Sequence, residues 1–175
     1  LKMQGRKYKI SIVTICFNDL KELKRTCVSV DSQRQKPDEH LIINASTKPD
    51  IDDFLRSIKL PEYRHWENIK DEHISASFNE GILRSRGDVI HLLNAGDEYY
   101  DESVIERVSS EFEKDEKLMW THGNYVQYRG GIWVLTGKAF NPEKFDALDK
   151  TAYKDKNLII DEAAIVANTS KNLGL

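Results

Sequence analysis

Asp97 is the residue best placed to do chemistry. It sits in Asn94-Ala95-Gly96-Asp97-Glu98, directly after the apolar run Val89-Ile90-His91-Leu92-Leu93. Such a run reads as a parallel strand covered on both faces. In an open α/β sheet, ligands bind outside the carboxyl ends of the strands. A carboxylate there, beside a small residue and a glycine, can hold a cation against a phosphate. Magnesium-type ions commonly use one or two protein carboxylates and take their other ligands from phosphate and water. By composition alone, Asp97 is equally an ordinary turn residue or the cap of a helix near Asp101. Glu98 reads as a solvated neighbour or a water-mediated ligand. The five histidines, His40, His65, His73, His91 and His122, show no metal-ligand spacing. His91, in mid-strand, reads as a packing histidine.

The elements that must carry this loop alternate. Tyr8 to Phe17 is rich in β-branched residues and predicts strand one. Asn18-Asp19 offers a cap for a helix bearing Leu20, Leu23, Cys27 and Val30, which ends before Pro37. His40 to Ile43 is strand two, followed by the polar loop Asn44-Ala45-Ser46-Thr47. Ile51 to Ile58 is a short helix capped by Asp50, and Tyr63 to Ile69 is strand three. Ser75 or Ser77 caps a helix through Arg86, with Ile82 and Leu83 toward the core. Arg86-Gly87-Asp88 stops that helix and turns into strand four, Val89 to Leu93. Asp101 to Lys114 is helical through Val104, Ile105, Val108 and Phe112. Leu118 to Tyr128 and Ile132 to Thr136 suggest a hairpin around Arg129-Gly130-Gly131. Beyond Pro142, Glu143 to Leu148 and Asp161 to Asn168 read as helices. Repeated βα units imply a mainly parallel three-layer α/β sheet with right-handed crossovers.

The chain has 175 residues, 39% hydrophobic and 31% charged, which favours one soluble domain. A net charge of -3 and a pI near 6.0 argue against a general nucleic-acid binder. No apolar run is long enough to span a bilayer and no secretory signal is visible. Cys16 and Cys27 read as buried free thiols, consistent with a reducing cytoplasm. Lys21, Lys24 and Arg25 read as a solvated helix face. No GxGxxG follows strand one and there is no GxxxxGK[ST], so a bound phosphate must be held in another way.

Four stretches in order resemble the family 2 glycosyltransferases of the GT-A fold, the group that builds bacterial surface polysaccharides. Ser11-Ile12-Val13-Thr14-Ile15-Cys16-Phe17-Asn18 resembles the opening strand S-I-I-T-x-x-Y-N. Asp71 to Gly81 resembles D-x-G-I-x-D-A-x-N-x-G. Gly87 to Asp97 resembles the segment ending in that family's version of the DxD motif. Gly123-Asn124 falls where many members have Gly-Asp. The resemblance covers about Lys9 to Tyr125.

It implies a nucleotide-diphosphate sugar as donor, UDP-linked in the first instance, with Mg²⁺ or Mn²⁺ at Asp97. It implies donor contacts from Thr14, Phe17, Asn18, Asn44, Ser46, Asp71, Asn79, Asn94, Ala95 and Gly96. It further implies transfer, with inversion, to a glycan or lipid-linked acceptor hydroxyl. A lipid-linked acceptor would bring the protein to the inner face of the membrane, although the acidic net charge gives no support. The donor part would span about 8–128, and a shortened or incomplete acceptor part about 129–175.

The chain departs from the family in three places. Asn44 stands where an aspartate usually contacts the nucleobase, which leaves the base identity open. Ala76 replaces another aspartate. No His-Gln strand follows. Ile160-Asp161-Glu162 faintly resembles the acidic pair that opens a late helix, making Asp161 the candidate base, with Glu162 second. An ordinary helix-start aspartate is the competing reading. Two other functions stay open: a nucleotide-sugar-binding or assembly protein without turnover, and a nucleotidyltransferase of similar topology, disfavoured by the missing phosphate loop.

Overall fold

The computed structural model describes residues 8–70, 73–121, 123, 125–129 and 132–136. Asp71, Asn124, the helices expected at 143–148 and 161–168, and the candidate bases Asp161 and Glu162 lie outside the described residues.

Four parallel strands form the main sheet in the order β3-β2-β1-β4: β1 (Ile10–Cys16), β2 (Glu39–Asn44), β3 (Arg64–Asn68) and β4 (Val89–Asn94). The helices are α1 (Leu20–Asp31), α2 (Asp50–Ser57), α3 (Ile74–Arg84) and α4 (Val104–Lys114). Alternate residues of each strand face opposite layers. Val13, Ile15, Leu41, Ile43 and Leu92 pack against Phe78 and Ile82 of α3. Ile10, Ile12 and Leu93 pack on α1 and α4 through Val30, Val104 and Ile105. Cys16 and Ile42 meet Leu23 and Cys27 of α1 and Ile51 and Leu55 of α2. A separate antiparallel pair, β5 (Tyr125–Arg129) and β6 (Ile132–Thr136), has Arg129 opposite Ile132, as the expected hairpin requires.

Several boundaries differ from expectation. Asp19, not Asn18, caps α1, its Oδ1 accepting from Glu22 N–H at 3.1 Å. Pro49 takes the cap position of α2, and Asp50 Oδ1 accepts from the adjacent Ile51 N–H. Helix α3 starts earlier, after His73 at φ 88°; Ser77 lies inside it, its hydroxyl donating to the His73 carbonyl. Phe78 and Ile82, packed on the sheet, define its buried stripe. Leu83, a further 100° around the helix, is 69% exposed rather than toward the core. Helix α4 begins at Val104, because Asp101 accepts from the Ser103 N–H and hydroxyl and pairs with Arg107 in a turn instead. Residues 118–121 are irregular, so the strand expected from Leu118 begins only at Tyr125. Among the described residues β4 lies at an edge of the sheet, with Val89, Ile90 and His91 half-buried rather than covered on both faces.

Both cysteines are free and buried. Burial pushes the Cys16 thiol up to about 12 and the Cys27 thiol up to about 11, so both stay protonated at neutral pH. His91 and Tyr99 satisfy each other at 2.8 Å from Nδ1 to the hydroxyl, which places Tyr99 in the core and leaves Tyr100 half exposed.

A polar chain runs through the α1 layer. Arg64, nearly buried, donates from Nε to His40 Nδ1 at 2.9 Å and from Nη2 to Asp31 at 2.6 Å. Arginine can only donate, so Nδ1 is the bare nitrogen and His40 Nε2–H donates to Thr14 Oγ1 at 2.9 Å. Burial, then the Arg64 and His65 charges, holds the His40 pKa well below the usual imidazole value. The unfolded chain takes up this proton below about pH 6.5 and the folded one does not. Stability is therefore expected to fall with acidification by up to about 1.4 kcal/mol per pH unit from this residue alone. Urea midpoints at pH 7.5 and 5.5 check it: His40→Gln should flatten the dependence, and an unchanged slope would refute the assignment.

Candidate nucleotide-binding site

After β1 the chain moves outward to β2 and β3. It then returns through α3 to place β4 on the far side of β1. The reversal makes the carboxyl ends of β1 and β4 the topological switch point of the sheet, the place where the ligand crevice of open α/β sheets lies. In register across this edge stand Asn94 beside Ile15, Cys16 beside Asn44, and Asn44 beside Asn68.

The loop after β1 is locked to the loop after β2. Asn18 N–H donates to Ser46 Oγ at 2.9 Å. Asn18 Oδ1 accepts from the backbone N–H of Thr47 and Lys48 at 3.0 and 3.1 Å, and Nδ2 donates to Thr47 Oγ1 at 3.0 Å. Asn18 has φ 54°, a left-handed conformation that asparagine tolerates better than most residues. Phe17, before it, is half exposed at the edge. Thr14 is fully buried, its hydroxyl bonded to His40 and its strand paired on both sides, so it supports the site from beneath instead of facing a ligand as expected.

The loop after β4 is pinned to α1. Gly96 N–H donates to Thr26 Oγ1 at 2.8 Å, and the Thr26 hydroxyl meets the carbonyls of Asp97 at 2.8 Å and Asn94 at 3.2 Å. Gly96 has φ 100°, a conformation that selects glycine, while the nearest atom to a Cβ there, Glu22 Oε2, is the movable end of a side chain. Asp97 N–H closes the turn onto the Asn94 carbonyl, while Asn94 Nδ2 donates to Asp97 Oδ2 at 3.1 Å. Asp97 is half-buried and does not cap α4, a position Ser103 holds. Glu98 pairs with Arg25, which also bridges to Glu22. Lys24 lies 4.4 Å over the Phe54 ring.

The donor set suits a shared cation better than a protein cage. Among the described residues no cluster of three or more histidine, cysteine or carboxylate groups could hold a metal. A single edge carboxylate such as Asp97 fits a magnesium-type ion whose remaining ligands are diphosphate oxygens and water.

The sequence profile described as "Glycosyl transferase family 2" matches residues 11–166. The chain belongs to glycosyl transferase family 2. Two Mycobacterium tuberculosis proteins, each described as an uncharacterized glycosyltransferase, are 31% identical to this family 2 chain over 97 residues. The match covers 55% of the chain and 37% of those relatives. Among solved structures, S. aureus TarS 1-349 in complex with UDP-GlcNAc superposes with TM-score 0.53 at 13% identity, over 62% of this chain and 32% of that one. A Pyrobaculum calidifontis mannosyltransferase in complex with GDP-Man and Mn²⁺ gives TM-score 0.51 at 8% identity, over 56% and 30%. At such identities the likeness shows the fold, a three-layer GT-A sheet.

In this family 2 chain the fold gathers Phe17, Asn18, Asn44, Ser46, Asn94, Ala95, Gly96 and Asp97 at one edge. Asn79 stands apart, half-buried on the second turn of α3. Three supporting residues escaped the sequence reading. Thr26 was detectable, with Ser29, as a polar member of the buried α1 stripe between Leu23 and Val30. Asn68 and Asp52, which hold Asn44 from behind, carried no local signal. Among the described residues, no helix is long and apolar enough to cross a membrane.

Proposed function

We propose that the chain carries the donor side of a metal-dependent glycosyltransferase. It would move a sugar from a nucleoside diphosphate, uridine diphosphate first, to a glycan or lipid-linked acceptor hydroxyl in surface polysaccharide synthesis. Family membership together with the crevice between β1 and β4 carries this reading. The nucleoside would lie against Asn18, Asn44 and Ser46, with Asp71 and Asn79 further along, and the diphosphate would point to Ala95-Gly96-Asp97.

Mg²⁺ or Mn²⁺ held at Asp97 would supply charge neutralisation to the departing diphosphate, greatest as the anomeric bond breaks. Thr26 and Asn94 keep the Asp97 carboxylate at the edge. Asn18 keeps the two nucleoside-side loops together. Inversion follows from direct attack by a hydroxyl opposite the leaving diphosphate, with Asp161, or Glu162 after it, removing the proton. In this reading residues 8–128 bind the donor and 129–175 form the acceptor side.

Incubation with UDP- and GDP-sugars and Mn²⁺ tests it. Slow release of free sugar and nucleoside diphosphate is expected. Tight Mn²⁺-dependent binding without turnover would instead identify a nucleotide-sugar-binding protein, a reading motivated by Asn44 and Ala76. Pyrophosphate release from a nucleoside triphosphate and a sugar phosphate would identify a nucleotidyltransferase.

A further inference from the structure

We propose that Asp52, an α2 residue outside the crevice, is a positioning residue that fixes the Asn44 amide as a hydrogen-bond donor for reading the nucleobase. The inference rests on the donor-site reading above. Asn68 Nδ2 donates to Asp52 Oδ1 at 2.8 Å, and Asn44 Nδ2 donates to Asn68 Oδ1 at 2.9 Å. Asn44 Oδ1 accepts from Ser46 N–H at 3.1 Å and from Cys16 Sγ at 3.6 Å.

The polarity of this chain is set by chemistry at both ends. Ionised Asp52 can only accept, and the Ser46 backbone N–H can only donate. Asp52 stays ionised: donors from Arg56, Asn68 and Trp66 hold its carboxyl down to about 2. The Arg56 and Trp66 contacts, at 2.6 and 3.0 Å, also hold it in place. Each amide between the two ends therefore has one allowed orientation. Among the described residues, the second Nδ2–H is the uncommitted group of the nearly buried Asn44 amide.

An amide at 44 is therefore matched to its surroundings, not a neutralised leftover of an aspartate. Aspartate at this position would turn an acceptor toward Asn68 Oδ1. If Asn68 flipped to meet it, Asn68 Oδ1 would face the Asp52 carboxylate. The relay also has a consequence for the ligand. A donor at 44 calls for an acceptor on the base, whereas a carboxylate calls for a base N–H. Uracil and cytosine invert donor and acceptor at ring nitrogen 3 and at position 4. Their relative affinity therefore reports the polarity of residue 44, which a merely structural role for Asp52 would not move.

The experiment measures melting temperature and UDP and CDP affinity, with Mn²⁺, for the wild type, Asn44→Asp, Asp52→Asn and the double variant. Asn44→Asp is expected to lower the melting temperature by roughly 4 °C. In the Asp52→Asn background that loss should shrink to less than half, because the donor chain can then run in reverse. The UDP-to-CDP affinity ratio should move at least about tenfold in Asn44→Asp. In Asp52→Asn it should move in the same direction but by less, because Asn68 can then turn while Ser46 N–H still holds Asn44 Oδ1. Ratios unchanged in both single variants, with binding intact, or melting losses that simply add, would overturn the relay. A wild-type chain that binds neither nucleotide would overturn the donor-site reading itself.

Discussion

Replacing Asp97 with alanine is expected to abolish the Mn²⁺-dependent rise in melting temperature that the proposed donor site predicts for the wild-type chain with a nucleoside diphosphate. A ligand at one hundred times its dissociation constant adds about 2.7 kcal/mol to the folded state. For a chain of this size that corresponds to roughly 5–10 °C. The unliganded variant should lose only about 1 kcal/mol, the worth of an ordinary side-chain hydrogen bond. Its turn is held by backbone groups and Thr26, none of which needs the carboxylate. Asp97→Asn sharpens the test by keeping a polar side chain of the same size while removing the charge. Both variants should behave alike toward Mn²⁺ and nucleotide, and turnover should fall by orders of magnitude in each. Retention of the full Mn²⁺-dependent shift in Asp97→Ala would move the cation elsewhere, with Glu98 of the same loop and Glu22 of α1 beside Gly96 the carboxylates to examine next.

The sheet was legible because β1 is a nearly continuous β-branched run and β2 and β4 carry short apolar runs between turn residues. The loops at the carboxyl ends of those strands then mark the side on which a ligand is expected. What the sequence concealed depends on pairing between distant segments. Asn18 looks like a helix cap, and local chemistry offers Asp19 the same role. Only the approach of residues 46–48 shows why Asn18 is free to bind the neighbouring loop instead. Helix α3 was misplaced by its start. His73 enters it with positive φ and no capping side chain marks the boundary, while Leu83, 100° around from Ile82, is shown to face outward only by the docking of Phe78 and Ile82 on the sheet. Asn44 alone reads as a lost charge. Its meaning changes once β3 brings Asn68 alongside and α2 brings Asp52 behind.

Gly87→Ala is expected to be among the most destabilising single-methyl changes in the chain, for a reason the sequence also hid. In the sequence Gly87 reads as a helix stop, where glycine would supply a left-handed turn. Among the described residues, Gly96 is the glycine with positive φ, so Gly87 serves close approach instead. A Cβ on Gly87 would stand 2.6 Å from Ser11 Oγ, 2.7 Å from the Ser11 backbone nitrogen and 2.9 Å from the Lys9 carbonyl oxygen. The hydroxyl could rotate away, but the two backbone atoms cannot, since they belong to or lead into central strand β1. Relief requires the 86–88 segment to retreat. That retreat would break Gly87 N–H to Ser11 Oγ, Asp88 and Val89 N–H to the Lys9 carbonyl, and Arg86 N–H to the buried Glu39 carboxylate. Overpacking of this kind costs about 1–3 kcal/mol, and each hydrogen bond lost adds about 1 kcal/mol. A melting temperature lower by roughly 10–25 °C should follow. Ser11→Ala in the same chain separates the causes. If the hydroxyl were the obstacle, the double variant would recover; because the obstacle is backbone, it should remain at least as unstable as Gly87→Ala alone. The segment connecting α3 to β4 thus sets the register of β4 against β1, and with it the height at which Asp97 reaches the crevice.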